Sequence, residues 1–187
     1  MLAERTSRRR LDILEAVTQA LEEVNYHELT IEDIAARAGV GKTTIYRWWK
    51  NKPDLILETF KEYTANIFEL DFAKSLEENL IQQLLKLADI LHRPLGRAVL
   101  VAVANHREVG AKFFSEYLLP RREQMHVLIQ KAIERDEIQK SDCFELMLDA
   151  IYAPIHYKII FFNQLPDEKY IGQLVKLMLD PIRVQSA

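Results

Sequence analysis

Residues 29–52 read LTIEDIAARAGVGKTTIYRWWKNK. The apolar residues Leu29, Ile34, Ala35, Ala38, Val40 and Ile45 recur at helical spacing on either side of Gly39 and predict two short helices around one small core. Thr30 stands three residues before Asp33, the spacing of a capping box, which satisfies amides otherwise orphaned at a helix N-terminus. Gly39 can take the positive φ that a tight turn between helices needs. From Ile34 to Pro53 the charged residues are Arg37, Lys42, Arg47, Lys50 and Lys52, with no acid among them. A continuous positive run on a helix-turn-helix is what a major-groove reader requires.

The rest of the chain is consistent with that start. Its 187 residues suffice for one large domain or two small ones sharing a helix. The residues from Arg5 to Arg10 lead into an amphipathic pattern rather than an apolar signal region. No window holds about 18 uninterrupted apolar residues, so no membrane span is expected. One cysteine, Cys143, excludes an intramolecular disulfide and a Cys-based zinc site. A cytoplasmic setting is expected. The net charge of −3 argues against a nucleic-acid partner until the chain is divided. Residues 1–53 hold 9 Lys+Arg and 8 Asp+Glu, net +1, whereas the remainder holds 16 and 20, net −4. The positive charge is concentrated in an Arg8-Arg9-Arg10 arm and in the run after Ile34, and local potential steers a polyanion.

Helical periodicity continues to the end, with no alternating strand pattern, and predicts an all-α chain of about nine helices. Ile13, Leu14, Val17, Ala20, Leu21 and Val24 mark a first helix capped near Thr6 or Ser7. After the helix-turn-helix, Pro53-Asp54 opens a helix reaching Phe68, and Ser75 with Glu78 forms a second capping box for a helix to Leu91. Pro94 starts a helix that is apolar on nearly every side. Gly110 separates it from a helix running from Phe113 to about Ile133, bent or broken at Pro120. Ser141 or Asp142 caps the next, which carries Pro154 inside and reaches Phe162; Pro166-Asp167 begins the last, ending before Pro181.

IAARAGVGKTTIYRWWKNKPDLI, residues 34–56, resembles helix 2, turn, recognition helix and following lysine of the TetR/AcrR family of transcriptional regulators; the likeness extends over residues 8–60. Residues 153–182, APIHYKIIFFNQLPDEKYIGQLVKLMLDPI, are similar to the end of some ligand-binding domains of that family. The resemblance implies a homodimer, a two-fold symmetric double-stranded DNA operator and a small-molecule effector, with no cofactor. It implies that Thr30 offers its hydroxyl to a phosphate, and that Lys42, Thr43 and Thr44 enter the groove at the start of the recognition helix, residues 42–49. Tyr46 would meet a phosphate, Arg47 a base edge or phosphate, and Lys52 a phosphate near the fourth helix. Two departures stand out: Gly41 where Ser or Thr often caps the helix, and Trp48-Trp49 for the usual Tyr/His-Phe pair.

Other readings of the same residues compete. GVGKTT resembles a phosphate-binding loop, but Ala36 stands where that motif needs glycine, and a capped helix precedes it instead of a strand. Trp49 is expected in the core against helix 1 and Leu55; Trp48 is left open. The five histidines show no metal-ligand spacing, and no catalytic set appears, so neither a metal site nor an enzyme is expected. Asn105 and His106, at the end of an apolar helix, are candidates for a ligand pocket because a buried polar pair must find partners. Phe113, Phe114, Tyr117, Tyr152 and His156 are further lining candidates.

The sequence thus predicts a DNA-binding domain at residues 6–53 (helix-turn-helix proper 29–48, linked by a helix at 54–68) and a ligand-binding and dimerisation domain at 69–187. The resemblance implies the function of a ligand-released homodimeric repressor. The alternatives are an activator of the same fold, a nucleotide-binding protein and a helical adaptor. Leu146, Ala150, Ala153, Tyr157, Ile171, Leu174, Val175 and Met178 are the candidate dimer face.

Overall fold

A computed structural model describes residues 2–184, with side chains from Arg8 onward. Ten α-helices follow one another: α1 Leu2–Leu21, α2 Ile31–Arg37, α3 Lys42–Trp48, α4 Lys52–Tyr63, α5 Leu76–His92, α6 Pro94–Asn105, α7 Arg107–Lys112, α8 Leu119–Glu134, α9 Phe144–Phe162 and α10 Glu168–Leu179. A π-helical turn, Phe113–Leu118, and a 3-10 turn, Asp180–Ile182, complete the list. The all-α expectation holds; among the described residues the only β pairing is an isolated Ile138–Arg183 bridge.

Helix starts follow their caps. Thr30 Oγ1 accepts from Asp33 N at 3.1 Å, and its hydroxyl donates to the Asp33 carboxylate. Ser75 and Glu78 form a fully reciprocal box, and Asp167 accepts from Tyr170 N at 2.8 Å to open α10. Gly39 sits at φ +62° in the turn between α2 and α3.

Elsewhere the structure corrects the expectation. α1 continues through Thr6 and Ser7 instead of starting there, so Arg8-Arg9-Arg10 is helical and not an arm. α4 ends at Tyr63, five residues before Phe68: the buried Thr64 returns its hydroxyl to Phe60 O at 2.8 Å, and a looped segment follows. Gly110 lies inside α7 and breaks nothing; a Cβ there would come within 3.3 Å of Val103 O, so the glycine serves close packing. The break falls at His106, whose backbone is extended. Pro120 cannot donate to the preceding turn, and the widened π turn immediately before it absorbs the change. α9 starts after Cys143, whose own side chain makes no cap bond, and Ser141 Oγ accepts from Cys143 N at 3.1 Å just before it.

The described residues pack as two compact units, 2–65 with 93–117, and 66–92 with 118–184. In the first, α6 lies on α1, α4 and α7, while α2 and α3 pack together and α2 rests on α1. Its core holds Ile13, Val17, Leu29, Ile34, Ile45, Leu55, Ile56 and Phe60, all under 3% exposed. In the second, α5 is central, packed by α8, α9 and α10 through Leu80, Leu84, Leu128, Ile151, Ile155, Ile171 and Val175. Residues 93–117 therefore pack with the helix-turn-helix unit.

Candidate nucleic-acid interface

Ile34, Ala35 and Ile45 are buried in the small core that fixes α3 against α2, so the opposite face of α3 is presented outward. Lys42, Thr43, Tyr46 and Arg47 are exposed and Thr44 half-buried. Gly41 is the N-cap and supplies no side-chain bond, consistent with its lack of a hydroxyl. A helix, α2, precedes it where a phosphate-binding loop requires a strand. Trp49 is in the core at 6% exposure, as expected. Trp48 is half-buried, edge-on to Trp49 at 5.6 Å, and lines an open cleft of about 380 Å³ beside α4.

The five cations of the run are not equivalent in space. Arg37 Nη1 donates to Glu23 at 2.8 Å. Lys42 Nζ donates to Glu32 Oε1 at 2.7 Å. The hydrogen bond from Lys42 lowers the Glu32 carboxyl below its ordinary range, and the same bond raises the Lys42 ammonium. Lys50 stands 3.9 Å from Glu108. Lys52 Nζ donates to Tyr26 O at 2.7 Å and Leu29 O at 2.8 Å, and lies 4.5 Å from the centre of the Tyr26 ring. Its partial burial lowers its pKa. Two of its three donors are thus committed to the loop before α2. Among the described residues Arg47 makes no ion pair or hydrogen bond. Arg10 turns away from solvent, pairing with Glu58 and Glu62 of α4 and lying 6.0 Å from the Trp49 ring centre.

Tyr26, Glu23 and Glu32 are the functional neighbours that sequence reading missed. Only the short reach from Glu32 to Lys42 across one turn offered a signal.

The pocket candidates separate. Asn105 and His106 are exposed, not buried, because the buried residues of α6, Leu95, Gly96, Ala98, Val99 and Ala102, stop a turn short of them. Asn105 donates to Val101 O, and His106 Nε2 lies 3.4 Å from the Tyr26 hydroxyl. Phe113, half-buried, and the buried Tyr117 stack on each other and meet the Phe60 ring at a tilt, while Phe114 is exposed. In the second unit His156 Nδ1 lies 3.0 Å from Tyr152 O, and withdrawal from water pushes the Tyr152 hydroxyl up to about 12.

The dimer candidates also divide. Ile171, Leu174 and Val175 are buried in their own subunit, where α10 packs on α5, and cannot form an outer face. Leu146, at 68% exposure, and Tyr157 are exposed, as is Ala153; Ala150 and Met178 are half-buried. Ile160, Phe161 at 73% exposure, Phe162 and Leu165 extend this apolar strip, and α10 adds Leu177.

Residues 13–59 match the sequence profile of the bacterial regulatory proteins of the tetR family, and residues 73–178 match the tetracyclin repressor-like C-terminal domain. The HTH-type transcriptional regulator YdeS of Bacillus subtilis is 27% identical over 178 residues, covering 94% of this chain and 90% of its own. A TetR-family transcriptional regulator from Mesorhizobium loti shares the fold with a TM-score of 0.72 at 18% identity, covering 96% of this chain and 99% of its own. The regulator FadR of Bacillus subtilis, solved in complex with stearoyl-CoA, superposes with a TM-score of 0.67 at 22% identity, covering 92% of this chain and 99% of its own. No helix among the described residues is long and apolar enough to cross a membrane.

Proposed function

Because the chain belongs to the tetR family of bacterial regulatory proteins and is a helix-turn-helix transcriptional regulator, we propose that it is a cytoplasmic homodimeric repressor released from its operator by a small molecule. The observation that carries the DNA contact is the outward face of α3, where Arg47 is exposed and unengaged among the described residues beside Thr43 and Tyr46. A guanidinium free of internal partners is available to grip guanine O6 and N7. Thr30, Thr43, Thr44 and Tyr46 set register through phosphates and nearby base edges, and Lys42 reaches a phosphate once register is set. Lys52 acts as a buttress of the loop before α2. The domain that reads DNA spans residues 6–53, and residues 69–187 bind effector and partner subunit.

The exposed strip of α9 with Leu177 of α10 supports the homodimer, since a continuous apolar face on one subunit calls for a cover and two-fold pairing covers it with itself. Two α3 helices then read half-sites about one helical turn apart, or a multiple of it. Effector binding acts by favouring the conformation with lower operator affinity, and its effect is bounded by that difference in affinity. Packing of α4 on α6 and α7 gives a route by which displaced middle helices move the DNA-binding head. Tyr152 and His156 line the effector site. Repression requires no catalytic step.

Selection of bound duplexes from random DNA tests this directly. The expected product is a two-fold symmetric consensus with fixed half-site spacing. Recovery of unselected sequence would overturn the proposal.

A further inference from the structure

The Lys42–Glu32 pair places an acid on the surface that the sequence presents as purely basic. Glu32 lies in the first turn of α2 and Lys42 at the start of α3, so the pair bridges the two helices of the reading head. Both side chains are more than half exposed, at 63% and 53%, and the pair is open to exchange. Resting on the DNA-binding reading above, we propose that Glu32 is a specificity-determining residue: a resident competitor for phosphate that withholds Lys42 from arbitrary DNA and yields it at the operator.

An exposed ion pair is weak and labile, so a phosphate displaces the carboxylate only if it is held close and in line with the ammonium. Base contacts from α3 hold the duplex in one register at the operator, and a phosphate stays where Lys42 can exchange onto it. On arbitrary DNA the protein slides among registers, and no phosphate keeps that position. Lys42 then stays with Glu32, contributes no counterion release, and the carboxylate repels the backbone. Neutralising Glu32 frees Lys42 for any phosphate.

The test is a salt titration of Glu32→Gln against an arbitrary duplex and the selected operator, with the wild type alongside. On the arbitrary duplex the slope of log affinity against log salt is expected to steepen by about 0.9 per engaged subunit, a further roughly three- to fourfold change per subunit between 50 and 200 mM salt. The gain on operator is expected to be smaller, so the ratio of operator to arbitrary affinity falls. Lys42→Gln added to Glu32→Gln should return the arbitrary-DNA slope to the wild-type value. Wild-type slopes for Glu32→Gln, equal gains on both duplexes, or a gain that survives loss of Lys42 would each overturn the proposal. A wild type that binds no duplex would instead overturn the DNA-binding reading itself. Thermal melts of both variants separate a change in the contact from a change in folding.

Discussion

Replacing Lys52 with methionine keeps the stem and removes the ammonium. In the native state that ammonium holds the carbonyls of Tyr26 and Leu29 at 2.7 and 2.8 Å and faces the Tyr26 ring at 4.5 Å. Hydrogen bonds to a charged group contribute about 1.5–3 kcal/mol each, and the ring contact about 0.5–1 kcal/mol at a partly exposed site. These do not add fully. Burial already disfavours the charged form, as the lowered pKa reports, and solvent reaches part of the site. Lys52→Met should therefore cost about 2–4 kcal/mol, with the orphaned carbonyls included.

The chain offers a selective probe for this. Its two tryptophans, Trp48 and Trp49, are adjacent in the first packing unit, so their fluorescence follows that unit alone during urea unfolding. With a typical slope of about 1–3 kcal/mol per molar urea, the midpoint should fall by on the order of 1–2 M. The opposite pattern refutes the reasoning. A midpoint within about 0.2 M of wild type, with a salt slope on DNA reduced by about one unit per subunit, would make Lys52 a phosphate ligand and the carbonyl contacts incidental.

Two further outcomes are expected. Gly39→Ala places a Cβ in open space but at φ +62°, so it should cost about 1–2 kcal/mol by tryptophan-monitored unfolding, with Gly39→Asn costing less; equal stability of all three would remove the left-handed turn from the account. Phe161→Glu alters a side chain that is 73% exposed and leaves the subunit core untouched. Light scattering should find it monomeric at concentrations where the wild type is dimeric, whereas an unchanged dimer would place the interface elsewhere.

What the sequence made legible was local. Thr30, Gly39, Ser75 with Glu78, and Asp167 act within a few residues of themselves, so their spacing carried the capping and turn geometry that the structure displays. Trp49 was readable as core because its ring follows an amphipathic helix. What was not legible depends on distant partners. Helical periodicity marks the apolar side of α10, but it does not say whether α5 or another subunit covers it, and Ile171 and Val175 turn inward. The end of α6 looked buried because its composition is apolar, yet Asn105 and His106 lie past the last covered turn. The absence of acids between Ile34 and Pro53 said nothing of Glu23, Glu32 or Glu108, which come to Arg37, Lys42 and Lys50 from outside that stretch.

That redistribution of charge changes what affinity for DNA should look like. If the five cations of the run acted as free charges, ten on a dimer would give a salt slope of about −9 from this stretch alone, whatever the duplex. With Arg37, Lys42 and Lys50 paired to carboxylates and Lys52 to carbonyls, Arg47 remains, and two cations on a dimer give about −1.8 on arbitrary DNA. Exposed cations elsewhere, such as Arg8 and Arg9, add to both duplexes alike and cancel in a comparison. The informative quantity is thus the difference between operator and arbitrary slopes. Exchange of two Lys42 side chains onto phosphate makes the operator slope steeper by about 1.8. A difference near zero with steep slopes on both would mean that polyanion alone dissolves the pairs and the cations act as the sequence presents them. A difference near zero with shallow slopes on both would mean that the carboxylates never release them, leaving discrimination to Arg47 and its neighbours on α3.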